Sequence, residues 1–167
     1  VDTFSVPHDA IDPIGFVLHA PAAQIGFLTD MGHGTRLVAD RVKDTEVLLL
    51  ETNHDVEMLN NDPRRSWALK QRIMSRHGHL SNEAAAEFLE QLAHNRLEHI
   101  FCAHLSRDCN TPELAKTEIT QKLVQIGLPK VNVHLTSQST PTPTLEIFGN
   151  KAPILPEKTV ATPSIAL

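Results

Sequence analysis

Hydrophobic residues recur along the chain in short runs that are typical of β-strands, with amphipathic stretches between them. The runs that predict strands lie at 3–6, 15–19, 24–29, 46–51, 98–103, 131–136 and 144–148. The stretches with helical periodicity lie at 35–42, 55–60, 64–76, 81–94 and 111–126. Because strands and helices alternate instead of forming separate blocks, the pattern predicts an α/β or a layered α+β fold.

The helix predicted at 111–126 carries recognisable signals at both ends. Thr111 can cap its N-terminus, and Pro112 falls in the first turn, where proline is tolerated. Gly127 lies where a glycine is favoured after a helix, and Pro129 prevents continuation. The sequence therefore predicts the limits of this helix closely.

The length of 167 residues suits one domain with a sizeable core, and 41% of the residues are hydrophobic. No apolar run approaches the roughly 18 residues that a membrane-spanning helix needs, so no membrane association is predicted. Because the chain opens with Val1 in a strand pattern and without a signal peptide, we expect it to begin within a longer polypeptide. Residues 151–167 are punctuated by prolines without periodicity, which predicts a flexible tail.

The composition narrows the classes of function. Fifteen basic against twenty acidic residues give a net charge of -5, which argues against nucleic-acid binding through overall charge. The two cysteines, Cys102 and Cys109, suit neither a zinc motif nor a disulfide framework, so a reducing, cytoplasmic setting is predicted. Histidine stands out, with ten residues against no tyrosine, and it suits metal ligation and proton transfer near neutral pH.

Polar clusters follow four of the predicted strands. They are Pro7-His8-Asp9-Ala10, Thr29-Asp30-Met31-Gly32, Glu51-Thr52-Asn53-His54-Asp55 and Ala103-His104-Leu105-Ser106. Ligand sites in layered α/β folds gather at the C-terminal ends of strands. A hydrolytic site with two metal ions needs imidazoles and carboxylates from several strands, and His8, Asp30 and His104 could supply them. Spacing alone leaves open the alternative that each histidine caps a strand or is solvated.

Several motifs occur in a fixed order along residues 3–128. They are His8-Asp9-Ala10, Asp12-Pro13-Ile14-Gly15-Phe16, Thr29-Asp30-Met31-Gly32, Glu51-Thr52-Asn53-His54-Asp55, Gly78-His79-Leu80-Ser81-Asn82 and His104-Leu105-Ser106. In this order they resemble the YycJ/WalJ branch of the metallo-β-lactamase superfamily. The resemblance implies an α/β layered sandwich, with the C-terminal half of an αββα fold at 1–128 and a strand extension at 129–150.

The resemblance also implies a role for each matching residue. His8, Asp30 and His104 match a metal-binding histidine, the bridging aspartate and the last histidine of the superfamily's metal site. His79 matches a histidine that lies beside the scissile phosphate in related nucleases, which implies a general acid; the alternative is a plain turn residue. Asn53 and His54 resemble the branch's Asn-His-Asp, where contact with substrate and support of the ligands are both open.

A basic stretch precedes His79. Residues 63–82 contain Arg64, Arg65, Lys70, Arg72 and Arg76 and no acidic residue. On a helix at 64–76, Arg65, Arg72 and Arg76 fall within a stripe of roughly 40°. The apolar residues on the other side are Trp67, Leu69, Ile73 and Met74. The stripe could bind a phosphodiester backbone, with a solvated helix face as the equal alternative.

One feature of the superfamily is absent. The His-x-His-x-Asp-His signature, which supplies most of the metal ligands there, does not occur in these residues. We therefore expect a missing N-terminal half or a partner chain to complete the site and cover the open sheet, with a homodimer as one arrangement. The isolated chain is expected to be inactive, and the complete enzyme to bind two divalent ions, zinc or manganese.

For the complete enzyme, the resemblance implies a metal-dependent phosphodiester hydrolase, specifically an exonuclease with DNA as its substrate. Hydrolysis of a thioester, a lactone or a small phosphodiester is the alternative among enzymes, because one fold serves many substrates. A catalytically empty binding module is the alternative outside enzymes, since an incomplete ligand set binds metal weakly.

Overall fold

Strands and helices interleave along the chain in the computed structural model, which describes residues 1–92 and 96–147. The strands are β1 (Asp2–Ser5), β2 (Ile14–His19), β3 (Gln24–Leu28), β4 (Val47–Glu51), β5 (His99–Ala103) and β6 (Asn132–Leu135). The helices are α1 (Arg36–Val42), α2 (Val56–Asn61), α3 (Trp67–Ile73), α4 (Asn82–Leu92) and α5 (Pro112–Gln125). The predicted layered α/β class is confirmed.

The strands form one sheet in the order β1-β2-β3-β4-β5-β6. The pairs β1–β2 and β2–β3 are antiparallel, and the pairs from β3 to β6 are parallel. Leu28 is level with Leu50, and Leu50 is level with Cys102. The residues that follow β3, β4 and β5 therefore meet at the same edge of the sheet, where ligand sites in such folds lie.

Helices α1, α4 and α5 pack on one face of the sheet. Leu28, Leu50, Ile100 and Cys102 point to this face and form one core with apolar side chains of the helices. The helical partners include Ala85, Phe88 and Leu89 of α4 and Ala115, Ile119 and Leu123 of α5. The capping signals of α5 are confirmed, because the Thr111 side chain accepts from the Leu114 N–H and Gly127 has a φ of 81°.

The opposite face of the sheet carries a row of apolar and aromatic residues. Phe16, Phe27, Leu49, Phe101 and His134 are level with one another across β2 to β6, so their side chains share this face. All five are only partly buried, and none belongs to the core on the helical side. The Phe16 and Phe27 rings stack with centroids 4.4 Å apart. A half-exposed apolar row of this kind is a surface that protein interfaces favour.

The prediction for 64–76 was wrong in its length and in its buried face. Helix α3 begins after the Ser66 cap and covers only Trp67–Ile73. Trp67 and Leu69 are 68% and 41% exposed, whereas Lys70 is buried and donates from Nζ to the Asn60 carbonyl oxygen at 2.7 Å. A lysine can occupy this buried position because the backbone carbonyl of Asn60 in α2 supplies a partner for its ammonium group.

A strand predicted at 144–148 is absent from the described part, since residues 144–147 form no ladder. Pro141 and Pro143 lie just before this segment and cannot donate backbone hydrogen bonds, which opposes pairing. Residue 148, the end of the helix predicted at 81–94 and the tail at 151–167 lie outside the described residues. Within residues 1–92 and 96–147, none of the helices has the length and apolar character needed to cross a bilayer.

Candidate functional site

Four of the titratable side chains at the common edge of the sheet follow strands or end them. His8 comes after β1, Asp30 after β3, Glu51 at the end of β4 and His104 after β5. Asp30 and His104 have φ values of 57° and 58°, in the left-handed region that non-glycine residues rarely adopt. Such strain is typical of functional sites, where the surrounding structure holds it in place.

Asp30 lies at the centre of the cluster. Its Oδ1 is 3.6 Å from His8 Nε2, 3.8 Å from His104 Nε2 and 4.0 Å from His79 Nδ1. The structure therefore brings together all three residues predicted to bind metal, and it places His79 beside them. These separations exceed a hydrogen bond, but they are close to the roughly 3.4 Å between two ligands of a tetrahedral zinc ion.

The ring orientation of His8 and His104 suits metal binding. His8 Nδ1 lies 2.8 Å from the Gly78 carbonyl oxygen, and His104 Nδ1 lies 2.9 Å from Glu51 Oε1. Both partners can only accept, so each Nδ1 donates its proton and each Nε2 presents its lone pair towards Asp30. Histidine ligands of metals are usually oriented in this way by an acceptor on the second nitrogen. The donor set of two imidazoles and one carboxylate fits zinc or manganese.

Glu51 is the functional residue that the prediction missed. Its side chain is fully buried, with Oε1 accepting from His79 Nδ1 at 2.7 Å and from His104 Nδ1 at 2.9 Å. Oε2 accepts from the Met31 N–H at 2.7 Å. Burial raises the pKa of Glu51, but the hydrogen bonds from His104 and His79 outweigh it and hold the pKa below its ordinary value. Glu51 is therefore an ionised carboxylate inside the protein.

His8, Asp30 and His79 lie close enough together to hold one metal ion, and Glu51, His79 and His104 form another such group. We interpret the group with Glu51 as an orienting network, because the Oε1 atom of Glu51 is already used by two imidazole N–H groups. The same hydrogen bond from His104 raises the pKa of its imidazole, in spite of burial, which lowers it. A metal ion at Glu51 Oε1 would have to displace both donors.

The turn before α4 fixes the position of His79. The His79 N–H donates to the Ile73 carbonyl oxygen at 2.8 Å, and Gly78 N–H donates to the Ser75 carbonyl oxygen at 2.9 Å. A Cβ atom at Gly78 would collide with the backbone of Ile73, so glycine is required for this close approach. His79 is about one quarter exposed and lines a cleft of about 490 Å³ together with His8, Asp30 and His104.

The family follows from comparison with known proteins. Residues 1–100 match the model of the β-lactamase superfamily domain. The chain belongs to this superfamily. It is 34% identical over 145 residues to the exodeoxyribonuclease YycJ of Bacillus anthracis, covering 85% of this chain and 54% of that protein. It is 37% identical over 150 residues to the exodeoxyribonuclease WalJ of Streptococcus pneumoniae, covering 88% of this chain and 55% of that protein.

These comparisons confirm a YycJ/WalJ-like protein of the metallo-β-lactamase fold. The chain spans about half the length of the curated relatives that it matches. The mixed six-stranded sheet with helices is consistent with an α/β sandwich of this superfamily. The fold of the superfamily is typically associated with divalent metal ions, and the donor set around Asp30 is suited to them.

Asn53 connects the loops at the cleft, and His54 lies in the buried part of its wall. Asn53 Nδ2 donates to the backbone carbonyl oxygen of His104 at 2.8 Å. The backbone carbonyl oxygen of Asn53 accepts from the Ser106 N–H at 2.7 Å. His54 is 1% exposed, and its Nδ1 has no hydrogen-bond partner in the described part of the chain. Burial lowers the pKa of His54 to about 4, so its imidazole is neutral near pH 7. The geometry of Asn53 favours support of the His104 loop.

Each arginine of the predicted basic stripe has a hydrogen-bonding or ion-pairing partner. Arg65 pairs with Asp62 and Asp108, and Arg72 Nε lies 2.5 Å from Asp9 Oδ2. Arg76 Nη2 lies 3.1 Å from His33 Nε2. Arg65 and Arg76 also lie outside α3, so the three side chains do not form one helical stripe. Asp9 compensates Arg72 and Asp108 contributes to the compensation of Arg65 from distant parts of the sequence, whereas Asp62 lies only three residues before Arg65.

The cysteines are free, as the sequence predicts. Cys102 and Cys109 are 0% and 1% exposed. Burial raises the pKa of the Cys102 thiol to about 11, and burial together with a hydrogen bond to Asp62 raises that of Cys109. Both thiols are therefore protonated and unreactive near neutral pH.

Asp62 forms ion pairs with Arg64 and Arg65 beside the cleft. Its negative charge should therefore make the stability of the folded state depend on pH in acid. Arg64, at 2.9 Å, and Arg65 hold the pKa of the Asp62 carboxyl far below its ordinary value of 3.8. The folded state therefore gains stability from this carboxylate above pH 3.8 and loses it progressively as the pH falls below that value.

We predict that Asp62→Asn lowers the urea midpoint of unfolding at pH 7 and that its difference from the wild type narrows below pH 3.8. Asp40→Asn is the matched control, because Asp40 is exposed on α1. A difference between wild type and Asp62→Asn that stays constant from pH 7 to pH 3 would contradict the role given to the charge.

Proposed function

We propose that the complete protein is a metal-dependent exodeoxyribonuclease. The observation that carries the proposal is the convergence of His8 Nε2 and His104 Nε2 on Asp30 Oδ1, at 3.6 and 3.8 Å, in an open cleft beside His79. The two relatives named exodeoxyribonuclease support DNA as the substrate. Hydrolysis of a phosphodiester needs an activated water and a proton donor, and this cluster offers residues for both.

His8, Asp30 and His104 would hold the divalent ions, zinc or manganese, with two ions in the complete enzyme. The bound ions would supply a water of lowered pKa and positive charge opposite the phosphate. His8 and His104 keep their Nε2 atoms directed at this position through Gly78 and Glu51. The further ligands would come from a His-x-His-x-Asp-His segment, which these residues do not contain.

His79 would act as the general acid. Its Nδ1 donates to Glu51 Oε1, so a second proton can only be held at Nε2. The ionised Glu51 carboxylate compensates the charge of the doubly protonated imidazole. The Nε2 proton would pass to the oxygen that leaves phosphorus, which makes the departure of the cut strand easier. The structure thus gives His79 an orienting partner of the kind that catalytic histidines have.

The exposed apolar row on the sheet would be covered by the remaining half of a two-sheet sandwich or by a second copy of the chain. In the described part of the chain, nothing covers this row completely. Its members are only partly buried: Phe16, Phe27, Leu49 and Phe101. We propose that residues 1–167 alone bind at most one metal ion weakly and do not hydrolyse DNA, and that adding the other half restores both. The buried, protonated thiols fit a reducing cytoplasm.

Metal content and hydrolysis of DNA by the complete protein test the proposal. We expect release of nucleotides from a DNA end in the metal-loaded protein, loss of this activity after treatment with a chelator, and recovery with zinc or manganese. Hydrolysis of a thioester or a lactone with no action on DNA would replace the proposal by the alternative within this fold. A complete protein that is isolated without metal and cannot be loaded would be a binding module.

A further inference from the structure

A second cleft, of about 620 Å³, continues the metal cleft along the loops that follow β5 and β6. Five residues line both clefts: His104, Leu105, Ser106, Arg107 and Gln138. Among the described residues that line the second cleft there is no aspartate or glutamate. A polyanion that is bound at Asp30 could therefore continue along this groove without meeting a carboxylate in its walls.

Arg107 differs from the other arginine of the metal cleft. Arg65 is compensated by Asp62 and Asp108. Arg107 is exposed and donates from Nε to Gln138 Oε1, which is a neutral amide oxygen. No carboxylate within residues 1–92 and 96–147 forms an ion pair with it. The positive charge of Arg107 is therefore available to an anionic ligand at the junction of the two clefts.

The loops around Arg107 hold it in place and add hydroxyl groups. Gln138 Nε2 donates to the Leu105 carbonyl oxygen at 3.0 Å, so Gln138 connects the loop after β6 to the loop after β5. Ser106 Oγ accepts from the Cys109 N–H at 3.2 Å, which leaves its own proton to donate. Guanidinium and hydroxyl donors together are typical of contacts to a nucleic-acid backbone.

We infer that Arg107 and Ser106 bind the backbone phosphate that neighbours the scissile phosphate in the same DNA strand. This strand follows the second cleft. The inference rests on the proposed function and names the path of its substrate. Of the two arginines that line the metal cleft, Arg65 is paired with carboxylates, whereas the described partner of Arg107 is a neutral amide, so Arg107 is the one that offers an uncompensated charge to this strand.

Arg107→Gln tests the inference, because glutamine removes the charge and keeps a polar side chain. Binding of a short oligonucleotide to the complete, metal-loaded protein is measured between about 50 and 200 mM salt. Phosphorothioate linkages keep the charge of each phosphate and slow cleavage. We expect binding to weaken about tenfold at low salt and the slope of log K against log salt to fall by about 0.7–0.9, the value of one lost phosphate contact.

Two further variants make the outcome decisive. Arg107→Lys keeps the charge and should keep the salt slope, while Arg41→Gln removes an exposed charge from α1 and should leave binding unchanged. A slope that is equal in Arg107→Gln and Arg41→Gln would overturn the subsite while the proposed function stands. A wild-type protein that does not bind DNA would overturn the proposed function and the subsite together.

Discussion

Replacing His79 with alanine is expected to slow hydrolysis of DNA by roughly a hundredfold or more, while the metal content of the complete protein stays at the wild-type level. The reason is the hydrogen bond between His79 Nδ1 and Glu51 Oε1 at 2.7 Å. Nδ1, the His79 nitrogen that lies 4.0 Å from Asp30, is occupied by its hydrogen bond to Glu51, so only Nε2 is left to donate a proton to the substrate. A proton donor can be removed without removing a metal ligand, so turnover and metal content should separate.

The matched control for this variant is His77→Ala. His77 is exposed and lies two residues before His79 in the same turn, so its loss tests the turn and not the donor. The measurements are metal content by elemental analysis and turnover on DNA. His77→Ala should keep both at the wild-type level, whereas His79→Ala should keep the metal content and lose turnover. If His79→Ala loses metal, the residue is a ligand and its assignment as an acid is wrong.

The sequence predicted the fold and part of the site because both depend on local patterns. Strands end where apolar runs end, and parallel neighbours bring their ends to one edge. For this reason His8, Asp30 and His104 were candidates for one cluster, and the resemblance of the ordered motifs to the superfamily then implied their role as metal ligands. The helix at 112–125 was predicted because its cap and its C-terminal glycine lie beside it in the chain.

Features that depend on distant partners were not predictable in the same way. Residues 63–82 contain no acidic residue that could pair with Arg65, Arg72 or Arg76. Asp9 and Asp108 reach Arg72 and Arg65 from other elements, which no local rule shows, whereas the pair of Asp62 with Arg65 spans only three residues. Trp67 likewise has an apolar side chain and lies on an exposed side, because Lys70 finds a backbone partner on the inner side.

Glu51 could have been found from a signal that the sequence does carry. Val47, Leu48, Leu49 and Leu50 form a continuous apolar run that is typical of a central strand, and Glu51 follows directly. A carboxylate at the end of a buried strand is costly unless it is paired, so its presence there predicts donors nearby. The sequence could not show that those donors would be His79 and His104.

We expect Glu51→Gln to impair the site more broadly than any other single polar substitution around it. Glutamine presents an NH₂ group where one oxygen of Glu51 now accepts, so either the Met31 N–H or the two imidazole N–H groups would face a donor. Breaking a buried, charge-assisted network of this kind costs about 2–4 kcal/mol of stability. Loss of the acceptor that orients a metal-binding histidine reduces metal affinity by about 10–100-fold.

The loss of stability in Glu51→Gln should depend on pH in a defined direction. The pKa of Glu51 lies below its ordinary value of 4.5, so the stability that the carboxylate contributes is present above pH 4.5 and is lost as the pH falls below it. The difference in unfolding free energy between the metal-free wild type and Glu51→Gln should therefore be full at pH 7 and should narrow in acid. Denaturant unfolding at several pH values measures it.

Glu46→Gln supplies the matched control, because Glu46 is equally buried and lies just before the other end of β4. Its carboxylate accepts from Arg96 at 2.7 Å and from the Gln24 N–H at 2.7 Å, far along the strand from Asp30. Glu46→Gln should lower stability and leave metal affinity and turnover per folded molecule unchanged, whereas Glu51→Gln should lower all three. Equal metal affinity in the two variants would show that Glu51 only stabilises the fold, and the orienting role of its two histidine contacts would be wrong.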